Sequence, residues 1–408
     1  MRALFVRAAL TAVLLPSVSG AQTVTLSESQ ALARMSPDSP RVRAIRAAID
    51  IARAEVLNVG RWPNPRISVD REAVAGVSET ITTVLQPLPI TGRRTLERDS
   101  AAALVDAATL RADDAMRHAR ADLRLAYADL VAAQAREREL MRSRDRLRDL
   151  AGLLEKREIA GDAAGFDRLR AEREVAEVDA DLSAAAADRA RARGTLSGFF
   201  AAGTDPSTLV AEERLVSARE LPSVDALVDR AERTRGEILA LQREIESARF
   251  SLRAADRRRV PEPDVRAGTK SSTAAGGDVG TVLSVQAVLP LFDRGRPERA
   301  IARARAAQAE ARLEAFRITA RADIAAMRAA VLERRTAADR YRAAALTRAS
   351  EVERIAQVSY DAGERGILEL LDAFRTSASA RVRQTALDAA ARAAEIELEF
   401  VSGWEIPS

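Results

Sequence analysis

The chain has 408 residues, 47% of them hydrophobic but only 3% aromatic, and 30% charged. Alanine supplies much of the apolar count, which suits closely approaching helices better than a thick globular interior. Basic and acidic residues nearly cancel (64 against 60) and are interspersed. No basic stripe with interleaved aromatics is present, so nucleic-acid binding is not expected. There is no cysteine, which excludes a disulfide framework, thiolate metal ligands and a lipid-anchor cysteine. The one histidine, His118, falls in a long helical stretch and reads as a surface or packing residue.

The N-terminus carries Arg2 and Arg7 around an apolar run ending at Leu15-Pro16, then small residues to Ala21. This is the pattern of a secretory signal over residues 1–21, with the mature chain starting at Gln22. No later stretch is apolar for the 18 or more residues that a spanning helix needs.

The remainder repeats itself with an offset near 200 residues. Pro63-Asn64-Pro65 corresponds to Pro261-Glu262-Pro263, and Val84 to Val285. Further on, Arg120-Ala121-Asp122 corresponds to Arg321-Ala322-Asp323, and Ala160-Gly161-Asp162 to Ala362-Gly363-Glu364. The first repeat is read as residues 22–220 and the second as 221–408. The expected fold class is mainly α with a small β part: a duplicated strand hairpin plus long antiparallel α-hairpin.

In chain order, short helices are predicted over Leu26–Met35 and Pro40–Gly60. Alternating strands follow at 66–74 and 79–88, around Gly76. A glycine-poor, proline-free run over Thr95–Arg157 then predicts a helix roughly 90–100 Å long. The turn at Gly161–Gly165 folds it back into a helix over Phe166–Phe199. The second repeat follows the same order. Short helices are expected at Val224–Arg235 and Glu237–Arg258, strands at 264–272 and 280–289, and a rod over Pro297–Tyr360. A turn at Gly363–Gly366 then leads into Ile367–Phe400. The two hairpins are thus 95–199 and 297–400, with strand regions 66–88 and 264–289. Heptad spacing of Leu140, Leu147 and Leu154, and of Ile324, Val331, Ala338, Ala345 and Val352, points to coiled-coil packing. Each returning helix is too short for its rod, so the preceding short helix is expected to stack beside the remainder.

Four strands leave open edges and cannot close a membrane barrel, although their length suits tilted membrane strands. Closure would need several copies. Arg71, Glu72 and Lys270 lie within the strands, and the lipid-facing side is left open.

The duplication, together with "PNPRISV", "VLPLFDRGRPERAIA" and "YDAGERGILELLDAFR", resembles the TolC family of outer-membrane efflux proteins over residues 24–402. It is most like the heavy-metal (cobalt–zinc–cadmium) efflux branch. The resemblance implies an oligomeric β-barrel with an α-helical tunnel, formed by a homotrimer seated in outer-membrane lipid with its tunnel in the periplasm. It implies a tripartite system, in which a periplasmic adaptor and a proton-driven inner-membrane pump are partners. It places acidic rings of a periplasmic aperture at Glu369 and Asp372, one helical turn apart. A gate latch falls on Asp167, Tyr360 and Arg365. The turns at Gly161, Asp162 and Gly165 and at Gly363, Glu364 and Gly366 are candidate adaptor-docking tips. No cofactor, metal site or catalytic residue is implied, and no Ser-His-Asp set or phosphate loop is present. The competing readings are a periplasmic adaptor, which carries a single hairpin, and a soluble coiled-coil scaffold.

Overall fold

The computed structural model describes residues 23–35, 39–161, 165–213, 220–292 and 294–404; the predicted signal segment lies outside them. The elements run β1 (Val24–Leu26), α1 (Glu28–Ala33), α2 (Pro40–Val56), β2 (Arg66–Val74), β3 (Val77–Pro87), α3 (Arg93–Ile159) and α4 (Gly165–Ser197). The second repeat continues with β4 (Leu209–Ala211), α5 (Val224–Thr234), α6 (Gly236–Arg257), β5 (Pro263–Ser272), β6 (Asp278–Ala287), α7 (Arg296–Tyr341), α8 (Thr347–Asp361) and α9 (Ile367–Ser402).

The helix starts follow local chemistry. Ser27 caps α1 in a reciprocal box with Gln30; Ser39 and Pro40 begin α2, and Ser223 begins α5. Gly92 and Gly295 sit at φ 73° and 69° immediately before the two rods. A left-handed residue at each strand-to-rod corner turns the chain onto the helix axis, and only glycine takes that conformation without steric penalty.

β2, β3, β5 and β6 form one antiparallel sheet in that order. The register separates two faces, because cross-strand partners share a side. Ile67, Val69, Val84, Val265, Ala267, Leu283 and Val285 lie on one face, with Arg71 its one charge. Asp70, Glu72, Glu79, Arg266 and Lys270 lie on the other, where Lys270 pairs with Glu79 at 2.6 Å.

α4 returns beside the lower part of α3 and α2 lies along its upper part, as the length argument requires. α6 does more than expected, lying against both α7 of its own repeat and α3 of the other. Gly236 permits this approach, since a Cβ there would sit 2.2 Å from the Leu110 carbonyl oxygen. The seam is polar in places: Ser100 Oγ lies 2.8 Å from the hydroxyls of both Ser247 and Ser251. Arg111 bridges Glu237 (3.1 Å) and Glu244 (2.7 Å).

Three features were not anticipated. β1 and β4 pair in parallel, with Val24 opposite Leu209. Gln134 ties that pair to α3, its amide donating to the Ala211 carbonyl and its oxygen accepting from the Ala211 N–H, both at 2.9 Å. Beside it sits a network of charges. Glu28 meets Arg124 (2.5 Å) and Arg392 (2.9 Å), Arg124 also meets Glu399, and Glu395 meets Arg335 (2.6 Å) and Arg392 (3.1 Å). Glu395 and Glu399 are each only 2% exposed.

The third is a π-helical turn, Arg342–Leu346, which divides the second rod where one continuous helix was expected. Above it the buried seams of the rods correspond at 201 residues: Leu123 with Ile324, Leu130 with Val331, Glu137 with Ala338. Below it they correspond at 202: Leu147 with Ala349, Leu154 with Ala356. The wide turn absorbs one inserted residue and keeps both rods in phase. It also ends the predicted heptad. Val352 is 51% exposed, and the seam passes instead through Ala349 and Ala356.

Candidate channel elements at the sheet and the helical tips

At the end of the rods remote from the sheet, Leu147, Leu150 and Leu154 of α3 pack with Ala171 of α4, Ala356 of α8 and Ile367, Leu370 and Leu371 of α9. This shared core fixes the two hairpins to one another. The reversals use Gly161 and Gly363 at φ 81° and 75°, while Gly366 caps α9 in an extended conformation. Glu364 is exposed, and its N–H donates to the Ser359 carbonyl at 2.8 Å. Gly165 opens α4 against the Glu158 carboxylate. Asp162 lies outside the described residues.

Glu369 and Asp372 are both exposed on α9, on the side away from the buried Leu370 and Leu371. The spacing places them one turn apart on one face. Asp372 is not alone, because Arg375 reaches it at 2.8 Å in an exposed pair. Such pairs are weak and easily screened.

Of the three latch residues, the structure brings one into a contact between the hairpins, with a partner not foreseen. Tyr360 accepts a hydrogen bond from Arg157 Nη1 at 3.3 Å, and the Arg157 guanidinium stands 5.5 Å from the Tyr360 ring centre. Among the described residues Asp167 and Arg365 form no ion pair, and neither bonds to Tyr360. Above this contact Glu353 of α8 pairs with Arg146 of α3 and with Arg381 of α9 at 2.7 Å. These cross-hairpin arginines carried no distinguishing signal in a chain with 30% charged residues.

The network near β1 has its own electrostatics. Burial pushes the Glu399 carboxyl above the ordinary carboxylate range despite Arg124. Burial also acts to raise Glu28, but the Arg392 and Arg124 guanidiniums outweigh it and hold that carboxyl below the range. The Tyr127 hydroxyl, 2.9 Å from the Leu26 and Glu212 carbonyl oxygens, is pushed up to about 12, by burial first and then by Glu28 and Glu212.

Among the described residues, no helix is long and apolar enough to cross a membrane, and no group of three or more His, Asp or Glu side chains is placed to hold a metal ion. The apolar surface suited to lipid is the sheet face, where Ile67, Val69, Leu283 and Val285 are 64–74% exposed.

A two-faced sheet with unpaired edges, mounted on long polar helical hairpins, defines the protomer of a channel-forming protein. Residues 227–403 match the outer membrane efflux protein family. The chain is 25% identical over 339 residues to the cobalt-zinc-cadmium resistance protein CzcC of Cupriavidus metallidurans, covering 82% of this chain and 80% of that protein. Its fold is similar to VceC, an outer membrane protein of Vibrio cholerae, with TM-score 0.75 at 17% identity over 92% of this chain and 96% of that one. It is similar also to the MtrE outer membrane channel of Neisseria gonorrhoeae, with TM-score 0.73 at 17% identity over 92% and 88%. Residues 227–403 thus form an outer membrane efflux protein domain, in a chain related to CzcC over about four-fifths of its length.

Proposed function

We propose that the protein is the passive outer-membrane duct of a tripartite efflux system. A homotrimer closes its sheets into one barrel, and the helical hairpins form a tunnel in the periplasm. The apolar sheet face meets lipid and the charged face lines the lumen. The observation that carries this reading is the sheet itself: a register that segregates apolar from charged residues, with both edge strands unpaired. The chain supplies no catalytic chemistry on this reading; the driving force comes from a proton-driven inner-membrane pump reached through a periplasmic adaptor. The exposed reversals at Gly161–Gly165 and Gly363–Gly366 are the docking tips. Similarity to a cobalt-zinc-cadmium resistance protein supports heavy-metal cations as cargo.

The aperture is assigned to the tips, with Glu369 and Asp372 from each copy facing the axis as a cation-preferring constriction. Contacts between hairpins hold it closed. Tyr360 contributes through Arg157 within one chain, and Asp167 and Arg365 contribute between neighbouring copies. Single-channel recording of the purified chain in planar bilayers tests the reading. Small, cation-selective steps are expected, and failure to insert into a bilayer would overturn it.

A further inference from the structure

Among the described residues the sheet is open at both edges, β2 on one side and β6 on the other, and each presents a full strand of unpaired backbone. The duplication supplies a template for what covers them. Arg66 corresponds to Asp264 and Leu85 to Gln286 in the repeat; the first hairpin pairs Arg66 with Leu85 and the second pairs Asp264 with Gln286. The hairpins are therefore built in the same register, and the seam joining them, β3 to β5, is the junction between successive repeats. That seam places Val84 opposite Ala267. The repeat counterpart of Val84 is Val285, and that of Ala267 is Val69.

Resting on the multi-copy barrel proposed above, we infer that β6 of one copy pairs antiparallel with β2 of a second copy in one fixed register, Val285 opposite Val69. Ser284 then faces Asp70, and Leu283 faces Arg71. The junction between copies repeats the junction between repeats.

Two further observations agree with this register. Val285 and Val69 both belong to the apolar face, and Ser284 and Asp70 both belong to the charged face. A slip of one residue would set Val285 against Asp70 and Leu283 against Glu72. Closure gives the second. Stepping directly across the sheet from Asp70 leads to Ile81, Lys270 and Gly280. The proposed pairing continues to Val74 of the next β2, a rise of four positions per copy. With ordinary strand rise and spacing, a trimer closed this way has strands tilted by about 35°, as membrane barrels do. A slip of two residues one way flattens the tilt to about 20°, and the other way steepens it to about 46°.

The chain has no cysteine, so paired thiols introduced into the full-length protein report the register directly. Val69→Cys with Val285→Cys tests one face and Asp70→Cys with Ser284→Cys the other. One of these pairs falls in the closely spaced, non-hydrogen-bonded class that suits a disulfide. Val69→Cys with Leu283→Cys, and Val69→Cys with Ala287→Cys, are the slipped controls. β2 and β6 lie at opposite edges of one sheet, so any bond formed joins two copies. On mild oxidation in outer membranes, at least one matched pair is expected to convert the monomer band into covalent dimer and closed ring, while the slipped pairs stay monomeric. Preferential bonding in a slipped pair would overturn the register. So would no bonding at either matched pair in protein that is oligomeric by native mass. Protein that is monomeric by native mass before oxidation would instead overturn the multi-copy reading itself.

Discussion

Arg157, in the last turn of α3, donates from Nη1 to the Tyr360 hydroxyl at 3.3 Å and sets its guanidinium 5.5 Å from the centre of that ring. One side chain of the first hairpin thus holds the second by a charge-assisted hydrogen bond and by its ring. Together these are worth about 2 kcal/mol in a partly exposed site. Arg157→Ala is therefore expected to shift the closed-to-open balance by up to about 30-fold. Tyr360→Phe keeps the ring and should shift it less. Single-channel open probability reads both, and an Arg157→Ala channel that gates like the parent would remove this contact from the latch.

Charge at the aperture is expected to be contested. Asp372 is already engaged by Arg375, so Glu369→Gln should lower cation preference more than Asp372→Asn, and Arg375→Ala should raise it. These side chains are exposed and screening acts over about 10 Å at 0.1 M salt. The differences in reversal potential should therefore be clearest in dilute electrolyte. Equal reversal potentials in all three variants would end the ring assignment.

Arg124 joins α1, α3 and α9 through Glu28 and Glu399. Replacing it with methionine leaves the Glu399 carboxylate, which is 2% exposed, with only the longer contact to Arg392 at 4.0 Å. Removing one partner of a buried pair costs about 3–5 kcal/mol. Adding Glu399→Gln should recover part of that loss, because it removes the buried charge that has lost its short-range partner. Urea unfolding of the detergent-solubilised protein measures both, and an unchanged midpoint in Arg124→Met would contradict the network's structural role.

The same network predicts a pH dependence. Glu28 is held below the ordinary carboxylate range. Its charged form therefore adds stability in full above the usual glutamate value of about 4.3, and that stability is lost as pH falls through the depressed folded value. Glu399 is raised and has the opposite sign, so the informative quantity is wild type minus Glu28→Gln. That difference in melting temperature should be constant near neutrality and shrink in acid. A difference that grows in acid would refute the assignment.

Removal of Ala344, within the π-helical turn, should leave Ala349 and Ala356 on the buried seam and turn the second rod into one regular helix. Removal of Ala330, in regular α7 and well above the turn, should rotate the seam beneath it by about 100°. The first variant is expected to reach the outer membrane and melt no lower than the parent, and the second to be lost to proteolysis. Equal loss of both would mean that the turn is not absorbing an insertion.

The strands were legible because Pro63-Asn64-Pro65 and Pro261-Glu262-Pro263 announce them and alternation sustains them; β2 was predicted with its observed bounds. The rods were legible because glycine and proline are nearly absent from them. β1 and β4 were not, since three-residue strands carry no alternation and their pairing is long-range. The π-helical turn left only a one-residue change of offset, 201 at Arg120 and Arg321 against 202 at Ala160 and Ala362, which does not by itself tell an insertion in a loop from one inside a helix. Arg157, Arg124 and Glu399 were hidden because partnered and solvated charges look alike in a sequence. The tip glycines were legible as helix reversals from the repeat itself, whereas the acidic pair stood out only through the family motif around Gly363–Asp372.

The far rim of the sheet is nearly bare. Two residues, Ala75 and Gly76, join β2 to β3, and five, Thr273 to Gly277, join β5 to β6. Spans so short cannot fold across the mouth of a barrel, whose strands alone set its width. In the proposed duct the mouth would stand permanently ajar, and whatever seals the periplasm from its surroundings would have to act at the opposite extremity, more than a rod's length away. On the same reading the cell would show its surroundings almost none of this protein: antibodies or phages seeking a handle would find a thin ring of alanine, glycine and threonine.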